Sequence, residues 1–105
     1  MARPPIHPGE ILADELEILG VSAASLARDL HVPTNRITQI LNGRRAIMAD
    51  TALRLGQWFG SGPELWLNLQ KQFELRLAEQ EVGREIRETV APRPALAVPV
   101  VAGRP

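Results

Sequence analysis

The amino-acid sequence predicts an all-α fold of about five helices. Apolar residues recur at three- and four-residue steps, the spacing that places them on one face of a helix. No stretch of the sequence alternates apolar and polar residues strongly enough to predict a strand, and the sequence has no internal repeat. Glycine and proline divide the chain into segments of helical length. We therefore expect one helical domain over residues 1–88 and a tail over residues 89–105.

The first predicted helix runs from Pro8 to about Leu19. Proline suits the first position of a helix, Glu10 suits the third, and Gly20 suits the residue after the end. His7 is expected to pack beside Pro8 rather than to bind a ligand. The inward face is predicted from four apolar residues at helical spacing: Ile11, Leu12, Leu16 and Leu19.

Two short helices joined by a three-residue turn follow, which is the skeleton of a helix-turn-helix. Ser22 is a good N-cap for the second helix. His31-Val32-Pro33 breaks that helix, and Pro33 opens a third helix that closes at Asn42-Gly43. The second helix is expected to bury Leu26, Ala27 and Leu30.

Two positions of this skeleton have special steric demands. The first of the two helices needs a small residue where the second crosses it, and Ala27 supplies one. Four positions later the turn needs a residue that tolerates a positive φ, where glycine is usual. His31 holds this position, and histidine is among the non-glycine residues that adopt such a conformation more readily.

The fourth helix is predicted from about Ala49 to Phe59, and a long fifth helix from Pro63 to about Glu88. Since 25 residues of helix are about 37 Å long, the fifth helix exceeds what a domain this small can cover. An apolar stripe on it is our candidate dimer interface, although burial in the core is the favoured interpretation for its first two members and a dimer contact for its last two: Trp66, Leu69, Phe73 and Leu77.

Charge is segregated along the chain although the formal net charge is zero. Residues 21–45 hold four arginines against one aspartate, whereas residues 1–20 hold four carboxylates against one arginine. The basic segment coincides with the predicted helix-turn-helix, which favours a nucleic-acid partner. The acidic first helix is either a solvated face or a docking surface for a basic partner.

The outer face of the third helix is the candidate DNA reader. Its inner face is predicted from Ile37, Ile40 and Leu41, which leaves hydrogen-bonding side chains on the opposite side. Asparagine and glutamine pair bidentately with adenine, and arginine pairs with guanine. The alternative is a polar face that merely meets solvent. The candidate DNA-binding residues are Thr34, Asn35, Arg36, Thr38, Gln39 and Asn42, with Arg44 and Arg45 beyond the helix for backbone contact.

Several function classes are excluded by composition. The sequence has no cysteine, and its two histidines, His7 and His31, lie far apart, so we predict no metal and no cofactor. The three serines lack the context of a nucleophile elbow, so we predict neither an enzyme nor a small-molecule substrate. No apolar run approaches the roughly 20 residues that span a bilayer, and the start lacks the order of a secretion signal. We expect a cytoplasmic protein without a membrane partner.

Four segments together resemble the HigA-type antitoxins, within the Cro/lambda-repressor-like helix-turn-helix class. They are HPGEIL at 7–12, SLARDLHVPTNRITQILNGRR at 25–45, ADTALRLGQWFG at 49–60 and PELWLNLQ at 63–70. The resemblance implies a HigB toxin partner, a small ribosome-associated ribonuclease of RelE-like fold. It also implies a homodimer that binds double-stranded operator DNA and represses the shared operon. The recognition positions that it implies are those already chosen on the third helix.

Two positions depart from the family pattern, and two alternatives stay open. Met48 and Gly62 stand where the family usually has a hydroxyl cap before the fourth and fifth helices. A free-standing repressor without a toxin is the alternative function. The Pro/Ala/Val-rich tail, with a short apolar patch at 95–102, is read as a flexible extension, either without function or ordered by a partner.

Overall fold

A computed structural model describes residues 4–94, and within that range it contains helices and no strands. The all-α prediction is confirmed, and the first four helices begin and end within a residue of the positions expected from the sequence. They are α1 (Pro8–Leu19), α2 (Ala23–Leu30), α3 (Thr34–Leu41) and α4 (Ala49–Phe59), followed by α5 (Glu64–Ala78), a π-helical segment (Glu79–Gly83) and α6 (Arg84–Thr89).

The predicted fifth helix is therefore not one uninterrupted α-helix. Helical backbone does continue to Thr89, but five residues adopt the wider π-helical turn. Gly83 is buried at this point, because the Glu79 carboxylate fills the space in which a Cβ would lie. Glu79 also forms an ion pair with Arg87. The carboxylate thus packs against the helix backbone in the space that the missing Cβ leaves.

One core joins the first five helices. Ala27 and Trp66 are each 1% exposed, and most of the other members are equally inaccessible. Leu19, expected on the inward face of α1, is instead 52% exposed, because it is the last residue of the helix and Val21 packs against the core after the turn. The remaining core residues are Leu12, Leu16, Leu26, Leu30, Ile37, Ile40, Ile47, Ala52 and Leu55.

The start of α1 lies directly against the end of α3. A Cβ at Gly9 would collide with the backbone carbonyl of Ile40, so the glycine sets the distance between the two helices. His7 caps α1, because its Nδ1 accepts a hydrogen bond of 2.8 Å from the Gly9 amide. The sequence predicted that His7 packs beside Pro8, but it did not predict that His7 caps the helix. The imidazole also meets the Phe73 ring edge-on at 4.9 Å between centroids.

Burial lowers the pKa of His7, while Glu10 and a hydrogen bond to the backbone of Arg45 oppose the shift. The neutral imidazole is the form that can accept from the Gly9 amide.

Within residues 4–94, no helix is both long enough and apolar enough to cross a membrane. The apolar patch predicted at 95–102 lies outside the described residues.

Candidate nucleic-acid interface

The turn between α2 and α3 has the geometry that the sequence predicts. His31 adopts φ 60° and ψ 46°, so its left-handed conformation is confirmed. The amides that follow α2 are satisfied within the turn, since Val32 donates to the Ala27 carbonyl at 3.0 Å. Ser22 caps the start of α2 by accepting from the Ser25 amide at 3.0 Å. The two helices are thereby held at a fixed angle to each other.

The face of α3 opposite the core is exposed as expected. Ile37 and Ile40 are completely buried, whereas Leu41 is only partly buried. This burial fixes the rotation of the helix and turns its polar residues outward. Among the candidate DNA-binding residues, two are half-buried, Arg36 and Thr38, and the others are exposed: Thr34, Asn35, Gln39, Asn42, Arg44 and Arg45.

Arg36 does not extend freely from the recognition helix. Its Nη1 lies 3.1 Å from Oδ1 of Asp50, and the same oxygen accepts from Nε of Arg54 at 2.8 Å. The Arg54 hydrogen bond is the main cause that lowers the pKa of Asp50. Arg54 also donates to the Leu30 carbonyl at 2.8 Å, which ties α4 to the end of α2. Arg36 must therefore exchange Asp50 for a base or phosphate if it contacts DNA.

Two further candidate residues are oriented by their neighbours. Nη1 of Arg45 donates to Oε1 of Gln39 at 3.3 Å, so the amide is held by a residue beyond the helix. The Thr38 hydroxyl donates to the Asn35 carbonyl at 3.3 Å and thus points back along its own helix. Asn35, in the first turn of α3, and Gln39 lie one helical turn apart on the exposed face. Both amides therefore face the same side of the helix.

The basic charge is concentrated beside this face. Arg44 and Arg45 are exposed, and neither forms an ion pair with any residue in the described range 4–94. The one acidic residue of the basic segment, Asp29, accepts from the Trp58 indole at 3.1 Å, on the side of α4. These two cations thus lie past the end of α3, beside its exposed polar face.

The structure corrects one member of the predicted dimer interface. Trp66 is 1% exposed and stacks on Phe59 at 5.5 Å between ring centroids, so it belongs to the core of a single chain. Burial of an indole removes a large apolar area from water, which favours its place in the core. The other three members are half-buried: Leu69, Phe73 and Leu77. Their role as dimer contacts stays a prediction.

Sequence reasoning did not identify Asp50 as an organiser of the site. The structure shows its carboxylate between two arginines of different helices. The signal in the sequence was the four-residue spacing of Asp50 and Arg54, which brings opposite charges together on a helix. The contact with Arg36 depends on how α3 and α4 pack, and spacing alone does not indicate it.

Comparisons with known proteins agree with this geometry. No family model matches the sequence. Virulence-associated protein I of Dichelobacter nodosus is 51% identical over 79 residues, which are 74% of this chain and 73% of that protein. Antitoxin HigA-1 of Vibrio cholerae is 35% identical over 74 residues, 70% of each chain.

Two solved structures are similar over nearly their whole length. An addiction module antidote protein of the HigA family from Coxiella burnetii is 54% identical, with a TM-score of 0.84 over 86% of this chain and 99% of that one. The Pseudomonas aeruginosa antitoxin HigA, solved with the higBA promoter, is 41% identical, with a TM-score of 0.82 over 85% and 98%.

Proposed function

Because this chain belongs to the HigA family of antitoxins, we propose that it neutralises a HigB-type ribonuclease toxin and represses its own operon. Repression is exerted by a homodimer bound to double-stranded operator DNA. The observation that carries the proposal is the exposed polar face of α3, set on a buried apolar face and followed by two arginines that form no ion pair within residues 4–94. The chain is a binding protein and not an enzyme.

DNA is read by the amides of α3. Asn35 and Gln39 each offer a donor and an acceptor, the pair that matches the N7 and N6 groups of adenine in the major groove. Gln39 exchanges its contact with Arg45 for the base, and Arg45 is then free for a phosphate. Arg36 leaves Asp50 in the same way and pairs with guanine.

The remaining candidate residues position the helix. Thr34 lies at the start of α3, where free backbone amides favour a phosphate. Arg44 and Arg45 bind the phosphate backbone beyond the helix, and Thr38 and Asn42 border the reading face. The contacts to phosphate give affinity for any sequence, and the amides supply the preference for the operator.

A homodimer places two such helices on one DNA molecule. Two half-sites one turn of DNA apart require a separation of about 34 Å between the recognition helices. Leu69, Phe73 and Leu77 are the proposed dimer contacts, on the face of α5 that also reaches the core.

The proposed activity is cytoplasmic, because the operator DNA and the ribosome on which the toxin acts are both found there. Residues 1–88 are the binding domain and residues 89–105 its tail.

Purification of the chain from cells that carry its complete operon tests the proposal. We expect a small basic ribonuclease to co-purify, and we expect the complex or the free chain to retard the promoter fragment in a gel. Expression of the toxin alone should arrest growth, and co-expression of this chain should restore it. Promoter binding without any toxin partner would instead indicate the free-standing repressor, and loss of both results would refute the proposal.

A further inference from the structure

An apolar groove lies between α1 and the start of α5. Its volume is about 360 Å³, and the end of α4 closes one side of it. Leu65 on its border is 46% exposed, while Ile11 and Leu69 are half-buried and continue into a smaller cavity along α5. The walls are formed by Ile11, Glu15, Phe59, Ser61, Leu65, Trp66 and Leu69.

The helix on one side of the groove is strongly acidic. α1 carries four carboxylates and no basic residue. None of the four forms an ion pair with any residue of the described range 4–94, whereas Asp50, Glu79 and Glu88 all do. All four are exposed: Glu10, Asp14, Glu15 and Glu17.

Apolar and acidic side chains form one continuous surface. At 100° per residue, Ile11, Asp14, Glu15 and Ile18 occupy neighbouring positions on one side of α1, next to its buried face. Ile18 is 78% exposed, the most of the large apolar side chains in residues 4–94. Because Ile11 and Glu15 also line the groove, this side of α1 and the groove together make a single face. We call it the α1–α5 face.

The α1–α5 face is separate from the recognition helix. Asp50, at the start of α4, contacts Arg36 of α3, whereas Phe59, at the end of α4, lines the groove. Eleven residues of helix separate these ends by about 16 Å. A partner seated in the groove therefore leaves the polar side of α3 uncovered.

We infer that the α1–α5 face is the docking surface for the toxin, a basic protein that inserts an apolar side chain into the groove. This inference rests on the proposed function and assigns the toxin contact to particular residues. Uncompensated carboxylates around an apolar groove complement lysine and arginine around an apolar anchor. The basic character of a protein that engages RNA supplies those cations.

A second copy of this chain and DNA are both poor partners for the α1–α5 face, because the face is acidic. In a two-fold dimer the same patch meets itself, so a second copy of this chain centred on the groove would bring the carboxylates of α1 toward one another. The proposed dimer contacts Phe73 and Leu77 lie one and two helical turns beyond Leu69, which borders both surfaces. Like charges placed together across an interface are unfavourable. DNA is repelled by the same groups, because its backbone is anionic.

The test uses the full chain and the HigB-type toxin encoded beside its gene. Asp14→Lys combined with Glu15→Lys reverses charge on the face, and Leu65→Gln makes the groove polar. The matched control is Glu81→Lys combined with Glu85→Lys, which makes the same change in charge on exposed helical positions far along the chain. Toxin affinity is measured by calorimetric titration at two salt concentrations, promoter binding by gel retardation, and molecular mass by light scattering.

We expect the charge reversal to weaken toxin binding at least tenfold at low salt and less at high salt. Leu65→Gln should weaken it at both, while the control variant binds like the wild type. All variants should keep the mass of the wild type, and the charge-reversal variant should bind the promoter as the control variant does, because both carry the same change in charge. Unchanged toxin affinity in both face variants would overturn the inference and leave the proposed function intact. A fall in mass to that of a monomer would identify the face as the dimer contact instead. Failure of the wild type to bind toxin would refute both proposals.

Discussion

The outer side of α3 and the α1–α5 face are built on the same small core, yet their chemistry is opposite. α3 exposes amides and hydroxyls, with Arg44 and Arg45 beyond them. The α1–α5 face exposes Ile18 and the rim of an apolar groove beside carboxylates that form no ion pair within residues 4–94. A net charge of zero is thus the sum of a basic and an acidic surface, and it says little about the partners of either.

Two surfaces of opposite chemistry allow one small domain to bind two unlike macromolecules. Base edges are recognised by donors and acceptors at fixed positions, which α3 supplies because its apolar side is locked into the core. Protein surfaces are recognised by apolar anchors in pockets, with charge around them to select the partner. The predictions below separate the two surfaces experimentally, starting with the position that joins them.

Gly9→Val should have the largest effect, because it disrupts the contact of α1 with α3 and so displaces both surfaces. The new side chain collides with the Ile40 backbone, which cannot rotate away. We expect a loss of about 3 kcal/mol in the free energy of unfolding, measured by urea denaturation. Ala24→Val on the exposed side of α2 is the control, and it should cost under about 1 kcal/mol. Equal stability of the two variants would contradict the close contact.

Asn35→Ala and Gln39→Ala should follow in size and should affect only the DNA surface. Each removes one amide from the reading face, with an expected loss of about 1–3 kcal/mol in discrimination between bases. The measurement is binding to promoter fragments with single base-pair changes. Toxin binding should stay at the wild-type level. Unchanged base preference in both variants would mean that α3 does not read the sequence.

Arg44→Ala should have a smaller and uniform effect on DNA binding. Because it removes a phosphate contact and no base contact, affinity should fall equally for promoter and unrelated DNA. The slope of log K against log salt should decrease by about 1. Titrations at several salt concentrations measure it. A change in base preference would show instead that Arg44 reaches a base.

The smallest predicted effect is the pH dependence due to the His7 cap. Because the pKa of His7 is lowered in the folded chain, the unfolded chain binds a proton first as the pH falls. The contribution of His7 should be complete above its unfolded pKa of about 6.5 and should decline as the pH drops through the folded value. The loss should not exceed the ~1 kcal/mol typical of an N-cap.

Urea denaturation of wild type and His7→Asn at pH 8 and pH 5 measures this effect. Asparagine keeps a capping oxygen but has no titrating group, so the difference between the two pH values should shrink in the variant. Stability of the wild type that rises as the pH falls, in a manner removed by His7→Asn, would contradict the assignment.

Helix ends and the turn of the helix-turn-helix were predictable from local sequence. Pro8, Gly20, Ser22 and Gly60 mark boundaries that the structure reproduces, and the positive φ of His31 followed from its place in the motif. These features depend on a few adjacent residues, so the sequence contains what determines them.

Features that depend on packing between helices were not predictable in the same way. The burial of Trp66, the bridge from Arg36 to Asp50 and the π-helical segment each require a neighbour distant in the chain or a specific side-chain position. A stripe of apolar residues on a helix does not indicate whether those residues pack in the core of the same chain or against a second chain. The amides on α3 were identified because the buried stripe fixes which side faces out.

The claim that two separate surfaces bind two partners is tested most directly by a crossed binding experiment. Promoter and toxin affinities are measured for Asn35→Ala/Gln39→Ala and for Asp14→Lys/Glu15→Lys. We expect the first variant to lose promoter discrimination and keep wild-type toxin affinity. The second should lose toxin affinity at least tenfold and bind the promoter at least as strongly as the wild type does. If either variant loses both activities while its stability matches the wild type, the two surfaces are not separate.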